Sequence, residues 1–84
     1  MPVISKFNGI VIKMYFLQSE HNPPHIHAFY ENYAIAVDFQ TGKVLDGYLP
    51  TAKLKMVLEW ISVYKDELNL MWVTQSFKRI PPLS

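Results

Sequence analysis

The sequence predicts an α+β domain. It reads as an antiparallel β-meander of about four or five strands followed by a C-terminal helical hairpin on one sheet face. Three observations predict this. Apolar and polar residues alternate in short runs up to Leu49. Turn-forming residues separate those runs at Asn8-Gly9, Glu31-Asn32 and Thr41-Gly42. At Pro50 the apolar period changes, and Leu54, Val57, Leu58, Ile61, Tyr64 and Leu68 recur at helical spacing.

The first strand is the apolar run Val3 to Phe7. Asn8-Gly9 is a hairpin signal because both residues tolerate positive φ. Ile10 to Phe16 returns, with Ile10, Ile12, Met14 and Phe16 on one face and Val11, Lys13 and Tyr15 on the other. Leu17 to Pro24 reads as a polar loop. Pro23 and Pro24 fix their own φ, lack an amide donor, and push the preceding residue toward an extended conformation. A strand from about His25 to Tyr30 follows. Glu31-Asn32 is a two-residue turn, with Asn32 expected to supply the left-handed conformation. Tyr33 to Phe39 is the next strand.

Pairing Tyr30 with Tyr33 fixes the register of this hairpin. Ala28 then opposes Ile35 and Ile26 opposes Val37, which makes one face apolar. On the other face Phe29 lies opposite Ala34, His27 opposite Ala36, and His25 opposite Asp38. A slip of one residue would exchange the two faces. Gly42 is expected at positive φ. Val44 to Leu49 forms the last strand, with Leu45 and Leu49 toward the core, Asp46 on the histidine face, and Gly47 leaving space or marking a bulge.

The helical region starts at Pro50 or Thr51. Asp66 and Glu67 suit a helix's first turn, so a break is expected near Tyr64-Lys65. The second helix then carries Leu68, Met71 and Trp72 to about Ser76. Pro81-Pro82 ends regular structure, and residues 77–84 are expected as a docking tail or short extended segment. The whole chain, 1–84, reads as one domain, with strands over about 3–49 and helices over about 51–76.

Composition bounds the function. The 84 residues are 50% apolar with 14% aromatic, so one folded domain with a modest core is expected. Oligomerisation is a common remedy for small cores. The net charge of +1 gives no strong global footprint for nucleic acid, although Lys78-Arg79 is a local basic patch. Cysteine is absent, which removes disulfides and thiolate metal sites and is compatible with a cytoplasmic location. No long apolar segment opens the chain and no run is long enough to span a bilayer, so neither a signal peptide nor a membrane partner is expected.

The candidate chemistry lies in His21-Asn22-Pro23-Pro24-His25-Ile26-His27, which holds all three histidines. On a strand, His25 and His27 project together while Ile26 faces the other way. One reading is metal-free acid–base work by His25 and His27, with Asp38 as orienting carboxylate and His21 as a mobile third member. A second is a divalent metal such as zinc on His21, His25 and His27, as in an open three-ligand hydrolytic site. The plain alternative is a polar sheet face with its histidines hydrogen-bonded. Met56, Trp60 and Val63 form a second apolar stripe on the helix. They read as core, or as an interface for a second copy or another partner.

The opening Met1 to Phe7, the Gly9 to Ile12 strand and above all the His-Asn-Pro-Pro-His-x-His stretch resemble a family of short bacterial proteins of unknown function. The Gly47-x-Leu49-Pro50 step, the Val57 to Ile61 helix segment, Asp66-Glu67-Leu68 and Lys78-x-Ile80-x-Pro82-Leu83 fit the same family, so the likeness covers essentially the whole chain. Members are often encoded beside another short domain of unknown function, in pairs suspected to be toxin–antitoxin modules. The resemblance therefore implies a cytoplasmic protein with a neighbouring-gene partner or a second copy, and a histidine site that is either active or a contact surface, with RNA a candidate target. It names no reaction and no catalytic set.

Overall fold

The computed structural model describes residues 3–15 and 23–82. Five strands are followed by one helix: β1 (Val3–Phe7), β2 (Ile10–Lys13), β3 (His25–Tyr30), β4 (Tyr33–Asp38), β5 (Val44–Tyr48) and α1 (Thr51–Thr74). The strands form one antiparallel sheet in sequential order, so each pairs with its neighbours in the chain.

The turns explain this order. Asn8 and Gly9 both take positive φ, 51° and 79°, the geometry that matches the right-handed twist of a hairpin. In the β3–β4 turn the positive φ falls on Glu31, at 53°, and not on Asn32 as expected. Positive φ at the first central residue alone is the pattern of a II′-type hairpin turn, and the two-residue loop keeps the register despite it. The β3–β4 register is the one read from the sequence: Tyr30 opposes Tyr33, Ala28 Ile35, Ile26 Val37, His27 Ala36 and His25 Asp38.

One sheet face is the core. Ile10, Ile12, Ile26, Ala28, Ile35 and Val37 are buried there together with Val57, Trp60, Ile61, Leu68 and Met71 of α1. Leu49 joins them, but Leu45, expected beside it, is 39% exposed. The β4–β5 register shifts between Ala36 and Val37, which inserts Leu45 as an extra residue and turns it out of the core. Gly47 sits beyond this bulge at φ 83°, and a Cβ added there would overlap the carbonyl oxygen of Ala34. Gly47→Ala is therefore expected to lower stability by about 1–3 kcal/mol, because both the backbone conformation and the close approach oppose it. A urea-denaturation midpoint unchanged from wild type would refute this.

The helical hairpin is replaced by a single helix. No Gly or Pro interrupts Thr51–Thr74, and the two helical stretches on either side of Tyr64 run on without an intervening loop. The break expected near Tyr64 is present only as a kink: Tyr64 has φ −111° and ψ 22°, and the helix continues past it. Pro50 precedes the first turn, and its carbonyl accepts from the amides of Lys53 and Leu54. Gln75 ends the helix in the left-handed conformation, donating its amide to Met71 O.

The tail then docks on the core. Ile80 is buried and its amide donates to the Ile4 carbonyl of β1 at 2.6 Å. The Trp60 indole N–H donates to Pro81 O at 3.0 Å. The stripe Met56, Trp60, Val63 is thus not a single exposed surface. Trp60 is fully buried, Met56 half-buried and Val63 59% exposed. No helix among the described residues is long and apolar enough to cross a membrane.

Candidate functional site

The sheet face away from the core carries His25 and His27. Alternation along β3 sends Ile26 and Ala28 into the core and projects His25, His27 and Phe29 outward. The neighbouring strands add Lys13 and Val11 from β2, Ala34 and Ala36 from β4, and Asp46 and Tyr48 from β5. Helix α1 packs mainly on the opposite face and, among the described residues, meets this one at its His25 end through Trp72.

The two imidazoles stand side by side, with ring centroids 5.1 Å apart and planes at 68°. The edge of Tyr15 meets His27 at 4.6 Å, and Phe29 stacks along His27 at 6.4 Å. At the sheet's end, Trp72 from the last turns of α1 reaches His25 at 5.4 Å and packs on Phe39 at 6.2 Å. Lys13 Nζ sits 5.1 Å from the Phe29 ring centroid, a cation–π contact that holds a positive charge beside the histidines.

The Pro-Pro step contributes directly. His25 Nδ1 lies 2.7 Å from Pro23 O, and a carbonyl can only accept, so Nδ1–H is the donor. The stiff proline backbone thus fixes the His25 ring, and Nε2 is the nitrogen left to accept a hydrogen bond in the neutral ring.

His27 has its pKa lowered from the ordinary 6.5, first by burial, then by repulsion from His25, with Asp46 opposing the shift. Burial strips water from the imidazolium and so favours the neutral ring. The folded state thereby binds fewer protons than the unfolded chain just below pH 6.5. The stability associated with His27 is complete above that pH and is lost as pH falls through the window down to the lowered value. The urea midpoint of a His27→Asn variant should accordingly fall less steeply than that of wild type between about pH 7 and pH 5. Parallel profiles would contradict the assignment.

The carboxylates divide differently from the expectation. Asp38 does lie opposite His25, but its Oδ1 accepts the amides of Gln40 at 2.8 Å and Thr41 at 3.2 Å, closing the turn after β4. The carboxylate that acts electrostatically on His27 is Asp46, placed across Ala36. His21 lies outside the described residues, so the three-histidine metal set is represented only by His25 and His27. Among the described residues no three His, Cys, Asp or Glu side chains group as a metal site. Sequence reasoning assigned neither Tyr15 nor Trp72 to the histidine site. Tyr15 lies two residues after Lys13 on the same face, which is the signal that could have found it.

The chain matches the family model described as Domain of unknown function (DUF4160) over residues 9–73, and it belongs to that family. No curated protein and no solved structure matches it.

Proposed function

We propose that this member of the DUF4160 family acts on RNA through its open sheet face, as one component of a two-gene, toxin–antitoxin-like module, with His25 and His27 as an acid–base pair. The observation that carries the reading is the pair itself: two adjacent imidazoles, one held toward its neutral form and the other tethered through Nδ1. That is the inventory that phosphodiester transesterification needs. Neutral His27 takes the proton of a ribose 2′-hydroxyl. The 2′-oxygen attacks the adjacent phosphorus, and the bond from phosphorus to the next nucleotide's 5′-oxygen breaks. His25, carrying a proton on each ring nitrogen, gives its Nε2 proton to that leaving oxygen, and exchange with solvent returns both rings to their starting protonation. The products are a 2′,3′-cyclic phosphate and a 5′-hydroxyl, with no other reactant consumed. Lys13 beside Phe29 supplies positive charge for the phosphate.

The two-gene setting rests on the likeness of the His21–His27 stretch and its flanks to short proteins encoded in pairs. The test is end-group analysis of RNA incubated with the purified, untagged protein in the presence of a strong chelator. Cyclic phosphate ends are expected and should persist with chelator. RNA left intact, or cleaved only when a divalent metal is restored, would overturn the reading.

A further inference from the structure

Among the described residues the outward face is not flat, and its relief follows from β4. Ala34 and Ala36 are the outward residues in the middle of the sheet. Their methyl groups make a low floor. On one side rise His27 and Phe29 of β3, directly paired with them, and on the other Asp46 and Tyr48 of β5. Two interstrand spacings separate these walls, roughly 10 Å. Tyr48 is 63% exposed, and its ring leans on Tyr33 at 5.7 Å with planes at 59°, which leaves the rest of the ring accessible to a ligand. A planar ring needs about 3.5 Å on each face to stack, so a space of that width between the β3 and β5 walls admits one heterocycle over the alanine floor.

Charge is segregated across the same face. Lys6 pairs with Val11 and is exposed, and Lys13 pairs with His27, so the cations lie over β1 to β3. The carboxylate of Asp46 lies beyond the trough on β5, in the same cross-strand row as His27. A ligand matching this pattern has an anionic backbone on one side and a planar ring with hydrogen-bond donors on the other. A nucleotide in a single strand has that polarity. Among the bases, guanine presents two adjacent donors, N1–H and the 2-amino group, which match the two oxygens of one carboxylate.

We propose that the trough over Ala34 and Ala36 binds single-stranded RNA and selects a guanine, stacked between Phe29 and Tyr48 and read by Asp46. This rests on the reading of the face as RNA-directed, and it adds the recognition element. Phosphates of the strand lie toward Lys6 and Lys13, which brings the backbone past His27. The alanines are the specificity-determining residues in the steric sense, since a larger side chain would fill the slot.

Binding is measured separately from cleavage, with short 2′-O-methyl oligouridine carrying or lacking one central guanosine or adenosine. These strands have no free 2′-hydroxyl and cannot be cut by the proposed chemistry. The guanosine strand is expected to bind tightest. Tyr48→Ala and Ala36→Leu should each weaken it about tenfold or more, the scale of one lost base stack. Asp46→Asn should bring guanosine and adenosine strands to near-equal affinity while retaining overall binding. Circular dichroism and the urea midpoint confirm that each variant is folded, and Tyr48→Phe, which keeps the stacking ring, should bind as wild type.

Absence of binding, equal affinity for all strands, or indifference to Tyr48→Ala and Ala36→Leu in folded protein would overturn the trough. Guanine-selective binding by a protein that cleaves no RNA would uphold the trough and sink the acid–base reading. Cleavage without guanine selectivity would do the reverse.

Discussion

Trp60→Ala is expected to destabilise the fold by about 3–5 kcal/mol, the range for truncating a large buried aromatic. Trp60 has no exposed surface and bridges three parts of the chain. Its ring stacks on Phe7 of β1 at 6.1 Å and meets Tyr64, at the helix kink, at 5.7 Å. Its indole N–H holds the tail through Pro81 O. Truncation leaves a cavity at the centre of the core and removes the donor for that carbonyl, and the two effects add. A domain of this size has only about 5–15 kcal/mol of stability in all, so the variant should sit near its unfolding midpoint at low urea. Trp60→Phe keeps most of the volume and should cost less than half as much. Urea denaturation followed by circular dichroism measures both. If Trp60 instead served a second copy, Trp60→Ala would leave the monomer's midpoint intact and change only the assembly mass. That outcome would refute the packing described above.

Trp60 also shows what a sequence can and cannot carry. Its helical spacing from Met56 and Val63 was visible, but spacing alone assigns no face when both sides of a helix are apolar. The seven residues after α1 decided it, because the tail returns to β1 and covers the indole. A docking of that kind has no periodic signal. The β3–β4 hairpin is the opposite case. A two-residue turn between two alternating runs leaves one register, so the outward row His25, His27, Phe29 and its partners Asp38, Ala36, Ala34 could be written down by arithmetic. Where backbone irregularity enters, arithmetic stops. The bulge at Leu45 broke the alternation of β5, and the kink at Tyr64 substituted for an interhelical turn. Asp38 illustrates a further limit. It was correctly placed beside His25, yet an aspartate two residues before free amides closes its own turn, and the amides of Gln40 and Thr41 take its oxygen.

His25→Ala and His27→Ala should each reduce RNA cleavage by about 10²–10⁴-fold, the usual contribution of one positioned acid or base. The double variant should lose little beyond the worse single, because two groups that act in one proton-transfer sequence are not additive. The variants also differ in pH dependence. Neutral His27 is the base, and its pKa is lowered from 6.5, so the wild-type rate should rise with pH along an acid limb lying below that value. In His27→Ala that limb should disappear along with most of the rate, whereas His25→Ala should retain it at lower amplitude. Asp46 favours the charged form of His27, so Asp46→Asn should move the acid limb to still lower pH. A purely structural role for the histidines would lower all rates through unfolding and leave the limb where it was. Folding is therefore checked at each pH by the urea midpoint, and rates are compared only where the variant is folded. Each histidine replaced by glutamine gives the decisive comparison, since glutamine retains a hydrogen-bonding side chain but has no proton to exchange near neutrality. A glutamine variant that cleaves RNA at the wild-type rate would remove acid–base catalysis from this face and leave His25 and His27 as packing for Tyr15 and Trp72.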